Sequence, residues 1–291
     1  MNKGILYGLA AYFLWGIFPI YWKLLQAVAP LEILFHRMLW SLVFVAIILT
    51  IRKQWSWLQL LRQKPKIIWI FVLTAALLSI NWFTYIWAVS NGFIVEASLG
   101  YFINPLLNVA LGVIFLKERL RWAQFLAILL AIAGVVYLTV NYGAVPKIAL
   151  ILAFCFSFYS LLRKTAPLGS LEGLSVETTI FFVPALIAIL CLERTGQAAF
   201  LHGGPATSVL LIFAGAVTAS PLLLFSAAAR RITLIALGIL QYLAPTLQFL
   251  IGVLVYGEPF SRTRFIGFCL IWIALAIYTI ESLVYFRRLQ R

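Results

Sequence analysis

Residues 95–116 read VEASLGYFINPLLNVALGVIFL, a run of twenty-two residues in which Glu96 carries the only charge. About 20 apolar residues in a helix cross the hydrocarbon core of a bilayer. Pro105 lies inside the run and would free a backbone carbonyl about one turn earlier. In a membrane that carbonyl needs a partner, so the stretch predicts a transmembrane helix whose proline face meets protein or water.

The whole chain has the same character. Residues of the AVILMFWYC class make up 64% of its 291 residues, and charged residues make up 10%. Soluble domains run near 45–50% and 25%. We therefore predict an all-α integral membrane protein. It would have ten transmembrane helices, at about 4–22, 31–51, 67–89, 95–116, 122–140, 147–164, 174–192, 208–229, 235–256 and 265–286.

The distribution of lysine and arginine predicts the orientation. With the N-terminus inside, sixteen of these residues fall in cytoplasmic segments and five in external ones, and Arg37 lies within the second helix. This asymmetry favours cytoplasmic N- and C-termini and an even number of spans. The net charge of +14 is explained in this way, so we expect no nucleic-acid binding.

The second half of the chain repeats the first. A shift of 140 residues places Pro105 on Pro245 and Gly112 on Gly252, and it aligns these further pairs: Glu118 with Glu258, Asn108 with Gln248, and Tyr85 with Phe225. A shift of 141 aligns Trp15 with Phe156 and Arg37 with Thr178. Five spans in each half predict two inverted repeats, 1–142 and 143–291, within one membrane domain.

Several motifs resemble those of a known family. Residues 96–105 (EASLGYFINP) and 115–119 (FLKER) are similar to the fourth-helix pattern of RarD-type proteins, as are 10–16 (AAYFLWG), 32–37 (EILFHR), 240–246 (LQYLAPT) and 256–260 (YGEPF). RarD-type proteins belong to the EamA family of the drug/metabolite transporter superfamily. The resemblance implies ten helices in inverted repeats, alternating access, and export of metabolites such as amino acids.

Polar and aromatic residues at membrane depth are the candidates for binding a solute, because such residues usually face a cavity or a partner. We expect a central cavity between helices 3, 4, 8 and 9, closed by helices 1, 2, 6 and 7. The alternative is that the amides bond helices together. The candidate substrate-binding residues are Tyr12, Trp15, Asn81, Tyr85, Tyr101, Asn104, Asn108, Tyr159, Gln241, Tyr242 and Gln248.

Four ionisable residues inside the spans are candidates for proton coupling or for another role of charge: Glu96, Glu177, His36 and Arg37. In one hypothesis a glutamate or His36 exchanges a proton as the site alternates. In the other, Arg37 is a structural charge satisfied by a glutamate or by backbone carbonyls. Glu118 and Glu258, which follow helices 4 and 9, are expected to cap the next helix or to pair with an arginine.

The composition also limits the function. There is no Asp, only two His, and no GxxxxGK[ST] sequence, so neither an enzyme nor an ATPase is expected. We expect no cofactor and no metal. The prediction is a secondary-active permease that exports a small metabolite or drug, with an amino-acid-like solute favoured, across a bacterial inner membrane by alternating access. The alternatives are a lipid or amphiphile flippase and an uncoupled facilitator or channel. The expected partners are a small-molecule substrate, the lipid bilayer and, as an open alternative, a second copy of the chain.

Overall fold

The computed structural model describes residues 3–55, 57–63, 65–117, 121–142, 145–229, 231–232 and 240–289. Within those ranges the ordered elements are helices, and no strand occurs. In chain order they are α1 (Lys3–Gly16), α2 (Phe18–Leu24), α3 (Pro30–Arg52), α4 (Trp57–Gln63), a 3₁₀ turn (Pro65–Ile67), α5 (Ile68–Ser90), α6 (Ile94–Leu116), α7 (Trp122–Tyr142), α8 (Lys147–Thr165), α9 (Ser170–Arg194), α10 (Pro205–Ala229), α11 (Leu243–Leu250), a π-helical segment (Ile251–Val255) and α12 (Arg262–Leu289).

Eight helical segments of the described chain are long and apolar enough to cross a membrane. They are Lys3–Leu24, Pro30–Arg52, Ile67–Ser90, Ile94–Phe115, Trp122–Asn141, Leu171–Arg194, Pro205–Phe225 and Arg262–Glu281. The all-helical membrane architecture is therefore confirmed, while the number ten stays a prediction.

The two remaining predicted spans differ from the other eight in length and charge. The sixth is α8, a helix of 19 residues with basic residues near both of its ends. The ninth, 235–256, falls partly outside the described residues, and its apolar helical part, Leu243–Val255, is short.

Proline and backbone conformation set several helix boundaries. The first span divides between α1 and α2, where Pro19 occupies the first turn of α2. Pro30 is the first residue of α3, a position that suits its fixed φ and its missing N–H. Lys53 and Lys117 follow α3 and α6 with φ of 53° and 54°, the left-handed conformation that ends many helices.

The helices form a bundle in which elements from the two halves of the chain interleave. Helix α3 packs against α9 and α10, α1 against α10 and α11, and α8 against α5 and α6. Helices α7 and α12 pack against each other at the side of the bundle, where they also touch α6.

Glycines permit the closest of these approaches. A Cβ on Gly100 would lie 2.6 Å from the carbonyl oxygen of Ala149, and one on Gly215 would meet the backbone of Trp40. Small residues at such points let helix backbones approach each other, so that dispersion forces and packing can hold them together in lipid.

A distant carboxylate caps α6. The Glu258 Oε1 atom accepts a hydrogen bond from the Ile94 amide at 2.7 Å, and Oε2 accepts one from the Val95 amide at 2.8 Å. Burial raises the pKa of the Glu258 carboxyl above its ordinary value, and the two amide donors oppose that shift. Of the two expectations for Glu258, a cap on the next helix is wrong, because the carboxylate caps the N-terminus of α6 instead. The positive charge of Arg264 also acts on this carboxyl and opposes the rise of its pKa. Glu118 lies outside the described residues.

Candidate solute-binding site

The most unusual buried group in the bundle is the guanidinium of Arg37, two turns into α3. Its residue is only 3% exposed. The guanidinium carbon lies 4.0 Å from the ring centroid of Trp82, 5.0 Å from that of Trp22 and 5.9 Å from that of Phe18. Aromatic rings from α2 and α5 therefore surround the charge.

The rings cover the faces of the guanidinium and leave hydrogen-bond donors at its edge unused. The Nε and Nη1 atoms of Arg37 are buried and have no hydrogen-bond partner. Within the described part of the chain, no carboxylate forms an ion pair with this residue. The structural interpretation, in which a glutamate or a carbonyl satisfies Arg37, is therefore not supported at these two nitrogen atoms.

The rings alone do not compensate the energetic cost of burying this charge. A desolvated cation–π contact contributes about 2 kcal/mol. Each buried donor left unbonded costs about 1–3 kcal/mol, or more when it is charged, and the burial of an ion adds several kcal/mol. A hydrogen-bond acceptor at the edge of Arg37 would thus stabilise the site considerably.

Two further hydrogen-bond donors near Arg37 are also buried and unbonded. The Trp22 Nε1 atom and the Tyr85 hydroxyl are buried without a partner. The Tyr85 ring meets the Tyr101 ring at 5.7 Å between centroids. The Tyr101 hydroxyl donates to Asn81 Oδ1 at 3.2 Å, and Asn81 Nδ2 donates to the Leu152 carbonyl at 3.0 Å. These bonds join α5, α6 and α8.

Aromatic contacts extend from the Tyr85 and Tyr101 rings to side chains of α8. The Phe156 ring lies 6.3 Å from Tyr101 and 5.8 Å from Tyr159. On the same helix the Ser157 hydroxyl donates to Asn104 Oδ1, while Asn104 Nδ2 is buried without a partner. Three of the predicted candidates, Tyr101, Asn104 and Tyr159, therefore border one interface between α6 and α8.

A second charged centre lies where α8 ends and α9 begins. The Tyr159 hydroxyl donates to Glu177 Oε2 at 3.3 Å, and Arg163 Nε lies 3.8 Å from Glu177 Oε1. Glu177 is 2% exposed. Gly173 leaves the space that the Arg163 guanidinium occupies, since a Cβ there would overlap it.

The two charged centres are connected along α5. Thr74 lies beside Glu177 and Trp82 lies beside Arg37. These two residues are eight positions apart, about 12 Å along a helix. A cavity of about 10 Å³ lies between Trp82 and Glu177, and it has room for about one water. Its lining residues are Met38, Ala75, Leu78, Ser79, Trp82, Glu177, Thr178 and Phe181.

Other predicted residues form a separate cluster on α1, α10 and α11. The Tyr12 ring lies 5.4 Å from Trp15 and 6.1 Å from Phe225, and Trp15 lies 5.8 Å from Phe225. Gln248 Nε2 donates to the Trp15 carbonyl at 3.0 Å, and Gln248 Oε1 is buried without a partner.

The remaining candidates lie apart from both groups or serve as packing contacts. Tyr242 packs against the apolar cluster shared by α6, α7 and α12. Asn108 on α6 and Gln241, just before α11, are partly buried. His36 Nδ1 accepts a hydrogen bond from Trp40 Nε1 at 3.2 Å. Glu96 Oε1 accepts one from the Ile148 amide at 3.1 Å, so this carboxylate holds the start of α8.

The comparisons with known proteins agree with this fold. Residues 2–140 match the model of the EamA-like transporter family. Protein RarD of Streptomyces exfoliatus is 45% identical over 99% of this chain and 91% of its own length. The chain belongs to the EamA-like transporter family, as a RarD-type member. It is therefore a bacterial membrane protein and a transporter of the drug/metabolite group.

Two further similarities extend over nearly the full length. An uncharacterized transporter of Bacillus subtilis (strain 168), YojE, is 46% identical over 97% of this chain and 95% of its own. A crystal structure of another protein matches with a TM-score of 0.60 at 22% identity, covering 96% of this chain and 98% of that one. The latter likeness concerns the fold alone.

Proposed function

We propose that this protein is a secondary-active permease that moves a small, amino-acid-like solute across the bacterial inner membrane by alternating access, in the direction of export. Its N- and C-termini would lie in the cytoplasm. The observation that carries the proposal is the series of polar and aromatic side chains between the two charged centres, at Arg37 and at Glu177 with Arg163.

This series is what a solute path in a membrane protein requires. Polar groups at membrane depth are costly, and they persist where they line a substrate or ion pathway. Between the two centres lie the hydroxyls of Tyr101 and Tyr159 and the amide of Asn81. Such groups offer hydrogen bonds, while the aromatic rings offer contact area to a small amphiphilic solute.

The packing of the bundle supports two inverted repeats and ten spans. The predicted repeat pairs α1 with α8, α5 with α10, and α6 with α11. Helix α1 packs against α10 and α11, and its mate α8 packs against the corresponding helices of the first half, α5 and α6. The family match at residues 2–140 also coincides with the predicted first repeat, 1–142. Interfaces between inverted repeats are where many transporters bind their cargo.

Counterflow in proteoliposomes tests the function. Vesicles containing the purified chain are loaded with a mixture of unlabelled amino acids, and each labelled amino acid is then supplied outside at low concentration. A permease gives transient accumulation of at least one label above that in protein-free vesicles. The same vesicles are assayed for movement of a fluorescent phospholipid between leaflets. Lipid movement without counterflow would contradict the permease and favour a flippase.

A further inference from the structure

The donors that converge on Arg37 are unmatched by acceptors. Arg37 Nε and Nη1, Trp22 Nε1 and the Tyr85 hydroxyl are all buried without hydrogen-bond partners. Arginine has no acceptor, the indole N–H only donates, and a phenol can donate. The missing group is thus an acceptor, and next to a guanidinium an anionic acceptor forms the strongest hydrogen bonds.

Arg163, whose side chain is 13% exposed, provides a comparison within the same molecule. Arg163 Nε lies 3.8 Å from Glu177 Oε1 and its Nη2 donates to the Gly169 carbonyl at 2.7 Å, although its Nη1 is buried without a partner as well. Arg37 has no such carboxylate among the residues that the structure describes, although it is more deeply buried. None of the carboxylates that the structure describes supplies an acceptor for Arg37, so a bound solute is the candidate for it.

We propose that Arg37, with Trp22 and Tyr85, binds the carboxylate of the transported solute, and that this solute has an apolar or aromatic body. The inference rests on the proposed function and specifies its substrate class. The planar fork of arginine fits a carboxylate with two parallel hydrogen bonds, which here would come from Nη2 together with either Nε or Nη1. The rings of Phe18, Trp22 and Trp82 would then pack against the body of the solute.

The closed arrangement of the rings is compatible with this role. Trp82 covers one face of the guanidinium and also lines the small cavity toward Glu177. Because this cavity holds about one water, a solute that reaches Arg37 requires the surrounding rings to move apart.

Thermal-shift measurements on the purified full chain test the assignment, since a ligand of the native state raises the melting temperature. The probes are matched pairs that differ at the carboxylate: L-phenylalanine with L-phenylalaninamide, L-leucine with L-leucinamide, and phenylacetate with phenylacetamide. We expect at least one carboxylate to raise the melting temperature of the wild type, and its amide partner to do so only at concentrations at least tenfold higher.

Three variants connect any such shift to Arg37. In Arg37→Gln the shift should disappear, while in Arg37→Lys it should require at least tenfold more ligand, because lysine keeps the charge and loses the planar fork. Arg194→Gln removes a positive charge from an exposed position and should bind as the wild type does.

Without ligand, Arg37→Gln should melt at or above the wild-type temperature, because it removes a buried and unpaired charge. A marked loss of stability would indicate a structural arginine and overturn the assignment.

The outcomes separate this inference from the proposed function. Equal shifts with acids and amides, a shift that persists in Arg37→Gln, or no shift with any carboxylate would each overturn the carboxylate site. Counterflow of amino acids would still stand in the first two cases as evidence for a permease. Absence of counterflow together with lipid movement would overturn the function itself.

Discussion

The guanidinium carbon of Arg37 on α3 lies 4.0 Å from the centroid of the Trp82 ring on α5. The contact joins two helices of the first half of the chain at a charged residue that is buried in the bundle. Trp82 also lines the cavity that reaches Glu177. One side chain thus borders both charged centres, and its removal should weaken solute binding.

Substitution of Trp82 tests this relationship. Trp82→Leu removes the ring that the body of the solute would pack against, so the solute should bind roughly 3- to 30-fold more weakly, a loss of about 0.6–2 kcal/mol. Trp82→Phe keeps a ring and should lose less. The matched control is Trp69→Phe, on the same helix at a side chain that is 71% exposed. Equal affinities for Trp82→Leu and the wild type would argue against a binding role for this ring.

The pair formed by Glu177 and Arg163 should show strong coupling. Removing one partner of a buried ion pair costs up to about 3–5 kcal/mol, because the other charge is left unpaired. Glu177→Gln and Arg163→Gln should therefore each lower the melting temperature of the purified protein. The double variant should be more stable than the sum of the two losses predicts. Additive losses would mean that the 3.8 Å approach contributes nothing.

Gly215 should not tolerate alanine. A Cβ at this position would meet the Trp40 carbonyl group and lie 2.7 Å from the Ser41 amide nitrogen, and neither backbone atom can move easily. Overpacking of this kind costs about 1–3 kcal/mol. Gly134→Ala is the control, since its nearest neighbour is a side-chain carbon of Ile271 at 3.1 Å. Both changes gain the same helix propensity, so the difference in melting temperature reports the contact between α3 and α10.

The cap on α6 should contribute to stability. In Glu258→Gln one carboxylate oxygen becomes an NH₂ donor facing an amide donor, and an unsatisfied buried group costs about 1–3 kcal/mol. The melting temperature should fall by several degrees. Glu193→Gln, at an exposed carboxylate 2.7 Å from His202 Nε2, removes a charge of the same kind and should change stability little. Equal melting temperatures for Glu258→Gln and Glu193→Gln would contradict a stabilising role of the Glu258 cap.

The helical membrane class could be predicted directly from the sequence, because apolar runs of about 20 residues are typical of helices that cross the lipid bilayer. The prediction for α8 illustrates the limit of that approach. Its apolar stretch is bounded closely by Lys147 and by basic residues near its C-terminal end, so hydropathy alone identifies it weakly. Its place in the bundle depends on packing against α5 and α6, which a count of apolar residues does not contain.

The site was predicted in part for a similar reason. Asn81, Tyr101, Tyr159 and Glu177 were recognised as polar groups at membrane depth, and the structure brings them to neighbouring helices. Trp22 and Trp82 were missed, because an aromatic residue in a lipid-spanning helix is usually an interfacial or lipid-facing one. Arg163 was assigned to the cytoplasmic charges. Only the tertiary arrangement shows that it lies beside Glu177.

The most direct measurement is counterflow of one carboxylate solute, chosen from the thermal-shift pairs, in vesicles that contain wild-type protein, Arg37→Gln or Arg194→Gln. We predict that internal unlabelled solute drives accumulation of external label in wild-type and Arg194→Gln vesicles, that the matching amide competes poorly, and that Arg37→Gln accumulates no more label than protein-free vesicles. Accumulation in Arg37→Gln at the wild-type rate would contradict a transport path through the Arg37 site.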